Sequence, residues 1–377
     1  MTIGRRIRPL IVKEFRQIRR DRRSLAVLLV FPAVLVFLIG FAVSFDVNHI
    51  SVVVYDQERS PMSREFLRSF SNSEYFDLNY DVRRYDDIDR LLNGGRALIG
   101  IVIPPDFSRR LLSNQDVTVQ VIVDGSNANT ATTAIGYVAG IVQSYSAKLI
   151  LEAFERSGMR FSSPLDFRPK VWYNPELRTA KYLIPGLIGF ILMLTAVIST
   201  SLSVVREKER GTLEQMMISP LHTGEIILGK TIPYLIIALA SSIFILLVGF
   251  LVFDVAVRGS IFWLYVGILL FLLGALGQGL LISSIAETTQ IAFMVSVFSS
   301  LLPTFLLSGF IFPIRSMPLA LQVITNINPS KFFLIIVRSV ILKGVGPEAF
   351  WEQLVYLAIF AALTLGISSL RLLRKAS

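Results

Sequence analysis

Apolar positions fall in two patterns along this chain. Six stretches are apolar for about the thickness of a bilayer. They cover residues 24–45, 182–205, 231–253, 260–285, 289–312 and 350–370. Between the first and second stretch, residues 46–180 behave differently. Apolar runs there shorten to strand length, as in ISVVVYD, ALIGIVIP (97–104) and VTVQVIVDG (117–125). Helix-like pieces alternate with them: SREFLRSF (63–70), DDIDRLLN (86–93) and DFSRRLLS (106–113). A longer helical stretch follows from Asn129 to Arg156. The two patterns predict an α-helical polytopic membrane protein with six transmembrane helices and an inserted α/β extracytoplasmic domain between the first and second.

Composition supports this division. The chain is 53% apolar and 17% charged, low for a soluble domain of 377 residues. The net charge of +10 is placed rather than spread. Residues 1–23 hold nine Arg or Lys just before the first apolar run, which is the positive-inside pattern. No basic, aromatic-bearing face accompanies them, so nucleic-acid binding is not expected. Residues 46–180 hold fifteen basic and seventeen acidic residues, the near-neutral balance of a translocated domain. The first apolar run is too long for a signal-peptide core and lacks a small-residue cleavage site, so it reads as a retained anchor. Six spans place both termini on one side, and Arg371, Arg374 and Lys375 mark that side as cytoplasmic. There is no cysteine, which excludes disulfides, thiolate metal sites and cysteine nucleophiles.

Two segments need their own reading. In residues 3–20, Ile3, Ile7, Leu10, Ile11, Phe15 and Ile18 recur at helical spacing among arginines. They form either an amphipathic helix along the inner membrane face or a basic topology signal alone. Residues 313–348 are expected outside, yet carry Arg315, Lys331, Arg338 and Lys343. FFLIIVRSVIL (332–342) is too short and too charged to span, so it lies at the outer interface or dips partway in.

Residues 224–231 read GEIILGKT and fit the P-loop pattern G-x-x-x-x-G-K-[ST]. Context argues against a nucleotide site. No strand precedes Gly224; the charged helical stretch REKERGTLEQMM does, and Pro220 ends it. Glu225, Ile226, Ile227 and Leu228 are large where a phosphate cradle needs open backbone amides. Lys230 reads instead as a cationic anchor at the cytoplasmic interface. A charged helix with a Leu/Met face, held between two spans, suits docking on a partner.

The remaining polar residues are few. Ser199, Thr200 and Ser201 in the second span and Gln278 in the fourth are a possible substrate path, with helix packing the favoured role. Gly274, Ala275, Gly277 and Gly279 indicate close helix contact, a dimer interface being one place for it. Charge at span depth is nearly absent, as Asp254 and Glu287 sit at span ends, so an ion-driven carrier is disfavoured. Asp124, Ser126, Asn127 and Asn129 form a polar turn, read as helix capping ahead of a ligand site.

REKERGTLEQMMISPLHTGEIILGK resembles the stretch after the second span in permease subunits of ATP-binding-cassette (ABC) transporters of the type-2 exporter family. VYDQERSPMSREF, VDGSNANTATTAIGYV, YNPELRTAKYLIPGLIGF, SGFIFPIRSMP and INPSKFF extend the resemblance over almost the whole chain. It is closest to bacterial multidrug-type permeases with a large periplasmic insert. The resemblance implies a pair of permease subunits, identical or related, in the bacterial inner membrane. It implies separate cytoplasmic ATPase subunits that bind ATP, so this chain has no cofactor, metal or catalytic residue of its own. Glu207, Arg210, Gly211, Thr212, Glu214, Gln215 and Pro220 are the implied ATPase-coupling residues. Membrane lipid and a periplasmic adaptor are further partners expected of such a chain. The expected function is export of a hydrophobic or amphipathic, drug-like substrate. A membrane sensor is the rival reading, though this chain lacks a cytoplasmic output domain.

Overall fold

The computed structural model describes residues 3–42, 49–113, 115–156, 172–174, 178–212 and 222–376. Contacts divide the chain into two units, residues 1–44 with 170–377 and residues 45–169.

The first unit is a helical bundle. It begins with α1 (Ile3–Arg20), α2 (Arg22–Leu29) and α3 (Phe31–Ala42). The apolar run expected as one span is therefore two short helices. Backbone hydrogen bonds from Val30 to Ala26 and from Val34 to Val30 carry the chain across the break. Pro32 has no N–H to give the turn before it, and the ladder is interrupted there.

Residues 178–212 contain α8 (Thr179–Glu209), and α9 (Thr223–Phe253), α10 (Ile261–Ile285) and α11 (Thr289–Leu307) follow it in the bundle. The last helix is α14 (Trp351–Ala376). These five are long and apolar enough to cross a bilayer. α8 and α10 are the central pair, with Ile184, Ile191, Val197, Ile268, Phe271 and Ala275 fully enclosed. Their outer neighbours expose large apolar side chains, such as Phe244 and Phe250 of α9 and Phe298 of α11, as lipid-facing helices do.

Glycines set the closest approaches. A Cβ on Gly279 would stand 2.6 Å from the Val197 carbonyl oxygen, and one on Gly277 would stand 2.4 Å from the Thr364 hydroxyl. Gly274, Gly277 and Gly279 thus let α14 and α8 close on α10 within one chain, and need no second subunit to explain them.

Residues 319–343 hold a broken element. α12 (Leu319–Ile324) and α13 (Pro329–Arg338) belong to arms bent by 84°. Asn328 makes the corner: its side-chain Oδ1 accepts from Ser330 N–H at 3.0 Å, and its side-chain Nδ2 donates to the Pro303 carbonyl at 2.6 Å. The second arm enters the bundle. Phe333 stacks on Phe271 at 4.1 Å, and Ile336, Val337 and Val340 are fully buried. The segment 332–342, left in the sequence between the outer interface and a partial dip, packs into the bundle core. Its charge is accommodated because Arg338 donates to the Gly309 carbonyl at 3.1 Å and lies over the Tyr182 ring at 4.0 Å.

The second unit is a small α/β fold. Its elements are β1 (Ile50–Asp56), α4 (Pro61–Ser71), β2 (Phe76–Asp81), α5 (Tyr85–Asn93), β3 (Ile99–Ile103), α6 (Phe107–Leu112), β4 (Gln120–Val123) and α7 (Ala128–Arg156). The sheet order is β2-β1-β3-β4, with β4 alone antiparallel. Val52 and Val54 bury on one face against Phe66, Phe70, Val138 and Tyr145, while Val53 buries on the other against Ile88.

By length and composition six described helices could cross a membrane. One of them is Thr130–Leu151 in α7, and the α2–α3 stretch is not among them. α7 is better read as part of this unit, since Ala134, Val138 and Tyr145 pack into the sheet core.

Candidate functional site

The segment with the P-loop pattern is helical throughout, because α9 begins at Thr223. Glu225 is its N-terminal capping carboxylate, accepting from the His222 backbone N–H at 2.9 Å. Ile226 and Ile227 are buried in the bundle. A helix whose amides are spent on its own ladder cannot wrap phosphates, so the pattern is coincidental.

Lys230 overturns one expectation. It is no exposed anchor at an interface, because its side chain is only 2% exposed. Its ammonium group pairs with Glu207 at the end of α8 and with Glu14 of α1, the latter at 3.3 Å. Lys13 closes the ring, 2.6 Å from Glu207 and 3.2 Å from Glu14. Two cations and two carboxylates from three elements thus form one neutral node. Glu14 is fully enclosed and Glu207 is 7% exposed. Burial works to lower the Lys13 pKa, but the Glu207 and Glu14 carboxylates outweigh it and hold the ammonium above its ordinary value. Removing one partner from a buried set like this costs about 3–5 kcal/mol, because it strands the opposite charge.

Apolar contacts reinforce the node. Ile7, Leu10, Glu14 and Ile18 are the buried face of α1, at helical spacing. Leu10 lies on Gly229, where a Cβ would come within 2.4 Å of it. The apolar stripe that suits a lipid surface is therefore largely used against protein, while Arg8, Arg16, Arg19 and Arg20 stay exposed.

The residues after Glu207 tie in a further element. Lys208 donates to the Ala286 carbonyl at 3.0 Å, where α10 ends. Glu209 accepts from the Thr289 backbone N–H at 2.6 Å, where α11 begins. Then α8 stops at Arg210, and Gly211 turns the chain with a φ of +71°. Thr212 donates back to the Glu207 carbonyl at 3.2 Å.

The residues singled out in the sequence thus divide. Glu207 is buried in the node, Arg210 is exposed, and Gly211 and Thr212 make the turn out of α8. Glu214, Gln215 and Pro220 lie outside the described residues. The polar residues of the spans come together only in part. Ser199 and Thr200 donate back to the Ala196 carbonyl within α8, at 3.1 and 2.9 Å. Ser201 is enclosed, and Gln278 donates to Ser299 of α11 at 3.3 Å. Glu14, Lys13 and Lys230 are functional candidates that sequence reading missed. Their signal was a lone carboxylate on the apolar side of a basic helix.

In the α/β unit, the polar turn caps α7. Asp124 accepts from Ser126 N–H at 2.9 Å, and Asn127 accepts from Thr130 N–H at 3.3 Å. A groove of about 710 Å³ between α4 and α7 is lined by Glu65, Arg68, Tyr75, Tyr137 and Lys148, among others.

A bundle of long apolar helices with a broken inward arm and an inserted α/β unit is the architecture of a polytopic membrane protein, and its P-loop-like segment is plain helix. A family model described as "ABC-2 family transporter protein" matches residues 22–370. The chain belongs to that family. It is 34% identical to the probable multidrug ABC transporter permease YbhS of Escherichia coli K12, over 98% of this chain and 97% of that protein. It is 32% identical to YbhR of the same organism, also named a probable multidrug permease, over 95% and 96%. The inner membrane transport permease YhhJ of E. coli is 27% identical over 96% and 95%.

Proposed function

We propose that this chain is the membrane-spanning permease subunit of an ATP-driven exporter in a bacterial inner membrane. It moves a hydrophobic or amphipathic, drug-like substrate out of the cytoplasm or the inner leaflet. Two permease subunits pair, and separate ATPase subunits dock on the loop 206–230. Both termini lie on the cytoplasmic side, and the α/β unit lies on the other, where it hands substrate to an adaptor. The chain binds no ATP itself. One observation carries this reading: both flanks of the loop, at Glu207 and Lys230, are anchored in one buried node. Force received by the loop therefore reaches the bundle instead of dissipating.

The test is purification of the tagged chain from its native membrane in mild detergent. A soluble ABC ATPase should come down with it and be lost when Arg210 to Gln215 are altered. The chain purified alone should hydrolyse no ATP. A chain that comes down without an ATPase, or hydrolyses ATP alone, overturns the reading.

A further inference from the structure

We propose that the head helix α1 and both flanks of the loop move as one rigid body, with Lys230 as the positioning residue that holds them together. This rests on the reading that the loop receives the ATPase stroke.

The geometry carries the proposal. Each carboxylate of the node faces both ammonium groups, so the four charges form a closed ring rather than separate pairs. Three of the four side chains are at most 7% exposed. Parting α1 from α9 would take Lys230 from Glu14, leaving that enclosed carboxylate with the half-exposed Lys13 alone, and would leave Lys230 with Glu207 only. Sliding α1 along α9 is also blocked, since Leu10 is seated on Gly229. Lys208 and Glu209 extend the clamp to the turn between α10 and α11. A push on the loop is thus carried at once to the head helix and to that turn. The lysine of the P-loop-like segment acts in energy coupling after all, as a structural strut for a stroke made elsewhere.

The chain lacks cysteine, so an introduced pair is the only thiol pair present. A Cβ at Gly229 lies 3.2 Å from the Leu10 Cβ, close to the separation of about 3.5–4.5 Å in a disulfide. The double variant Leu10→Cys/Gly229→Cys is purified with its ATPase and reconstituted in vesicles. Oxidation should join α1 to α9 while ATP hydrolysis and ATP-driven ethidium efflux stay within about twofold of the reduced sample, as expected for a contact that does not open. Loss of either activity on oxidation, with recovery on reduction, shows that α1 must move against α9 and overturns the proposal. Failure of the crosslink to form overturns it as well. The second variant is Lys230→Met. Ethidium moved per ATP should fall about tenfold while the ATPase stays bound, and Lys230→Arg should restore it. An unchanged ratio in Lys230→Met overturns the role of Lys230. If no ATPase accompanies the wild-type chain, the proposed function fails. Crosslinking in native membranes then still tests the docking of α1.

Discussion

The bundle and the α/β unit both bury carboxylates, and they satisfy them by opposite means. In the bundle, Glu14 and Glu207 are met by ammonium groups from elements up to 216 residues away in sequence. In the α/β unit, buried Asp56 and the partly exposed Glu58 beside it are met by hydroxyls and backbone amides. Asp56 accepts from Ser63 at 2.5 Å and from the Glu58 and Arg59 N–H groups at 3.0 and 2.8 Å. Glu58 accepts from Ser60 at 2.7 Å and from the Ser108 amide at 2.9 Å. The difference follows from surroundings. Beside apolar helices there is little water to share the field, so a charge needs a countercharge. At a helix start near solvent, aligned donors suffice.

The largest expected effect comes from unbalancing the node. Lys230→Met should destabilise the bundle by about 3–5 kcal/mol, read as a lowered unfolding midpoint in nanodiscs. Adding Glu207→Gln should recover part of that loss, because one stranded charge is then gone. If the double variant is no better than the single one, the ring is not the unit of stability. Next is Asp56→Ala, which unpairs a buried hydroxyl and two amides. It should cost about 2–3 kcal/mol and raise hydrogen exchange at residues 58 and 59. The bundle midpoint should not change, since the Ser63, Glu58 and Arg59 partners of Asp56 all belong to the α/β unit.

The pH dependence should separate the regions further. Burial works to raise the Glu58 pKa, but hydrogen bonds from Ser108 and Ser60 outweigh it and hold the carboxylate below its ordinary value of 4.5. Its stabilising contribution is therefore present above the unfolded pKa and is lost as pH falls through the lower, folded value. Lys13 has the opposite sign. Its pKa is raised above the ordinary 10.5, so its contribution is present below that value and is lost only as pH rises through the folded one. Acid should loosen the Ser108 amide in hydrogen exchange, while strong alkali should free α1. Loss of the Ser108 protection on the alkaline side would break the assignment.

How much of this was legible in the sequence depended on the range of the interaction involved. Long apolar runs and the short apolar strands β1 and β3 are local patterns, and they read directly. β2 was missed because FDLNYD interleaves Asp77, Asn79 and Asp81 with its apolar positions, as an edge strand does. The break at Pro32 follows from a missing donor and was readable in principle. The inward course of 332–342 was not, because Arg338 finds its acceptors near residues 182 and 309, far away in sequence. The node was hidden for the same reason. Lys13, Glu14, Glu207 and Lys230 each look like ordinary interface charges until three elements meet. The P-loop pattern could be rejected from context alone, yet the actual partners of Lys230 could not be read from it.

The smallest expected effect lies at the exit from the node. Gly211 has a φ of +71°, and among the described residues no atom lies within 4 Å of where its Cβ would stand. Gly211→Ala therefore meets no clash with the described residues, and the cost argued for it is conformational. An L-residue in that left-handed turn should lose about 1 kcal/mol. That is too little to unfold a bundle held by the node, but enough to bias how the chain leaves α8. The variant should keep the unfolding midpoint of the bundle nearly unchanged and weaken capture of the ATPase. Full capture would mean that the loop finds its docking geometry whatever direction α8 hands it. The rigid node would then matter for transmitting force and not for aiming the loop.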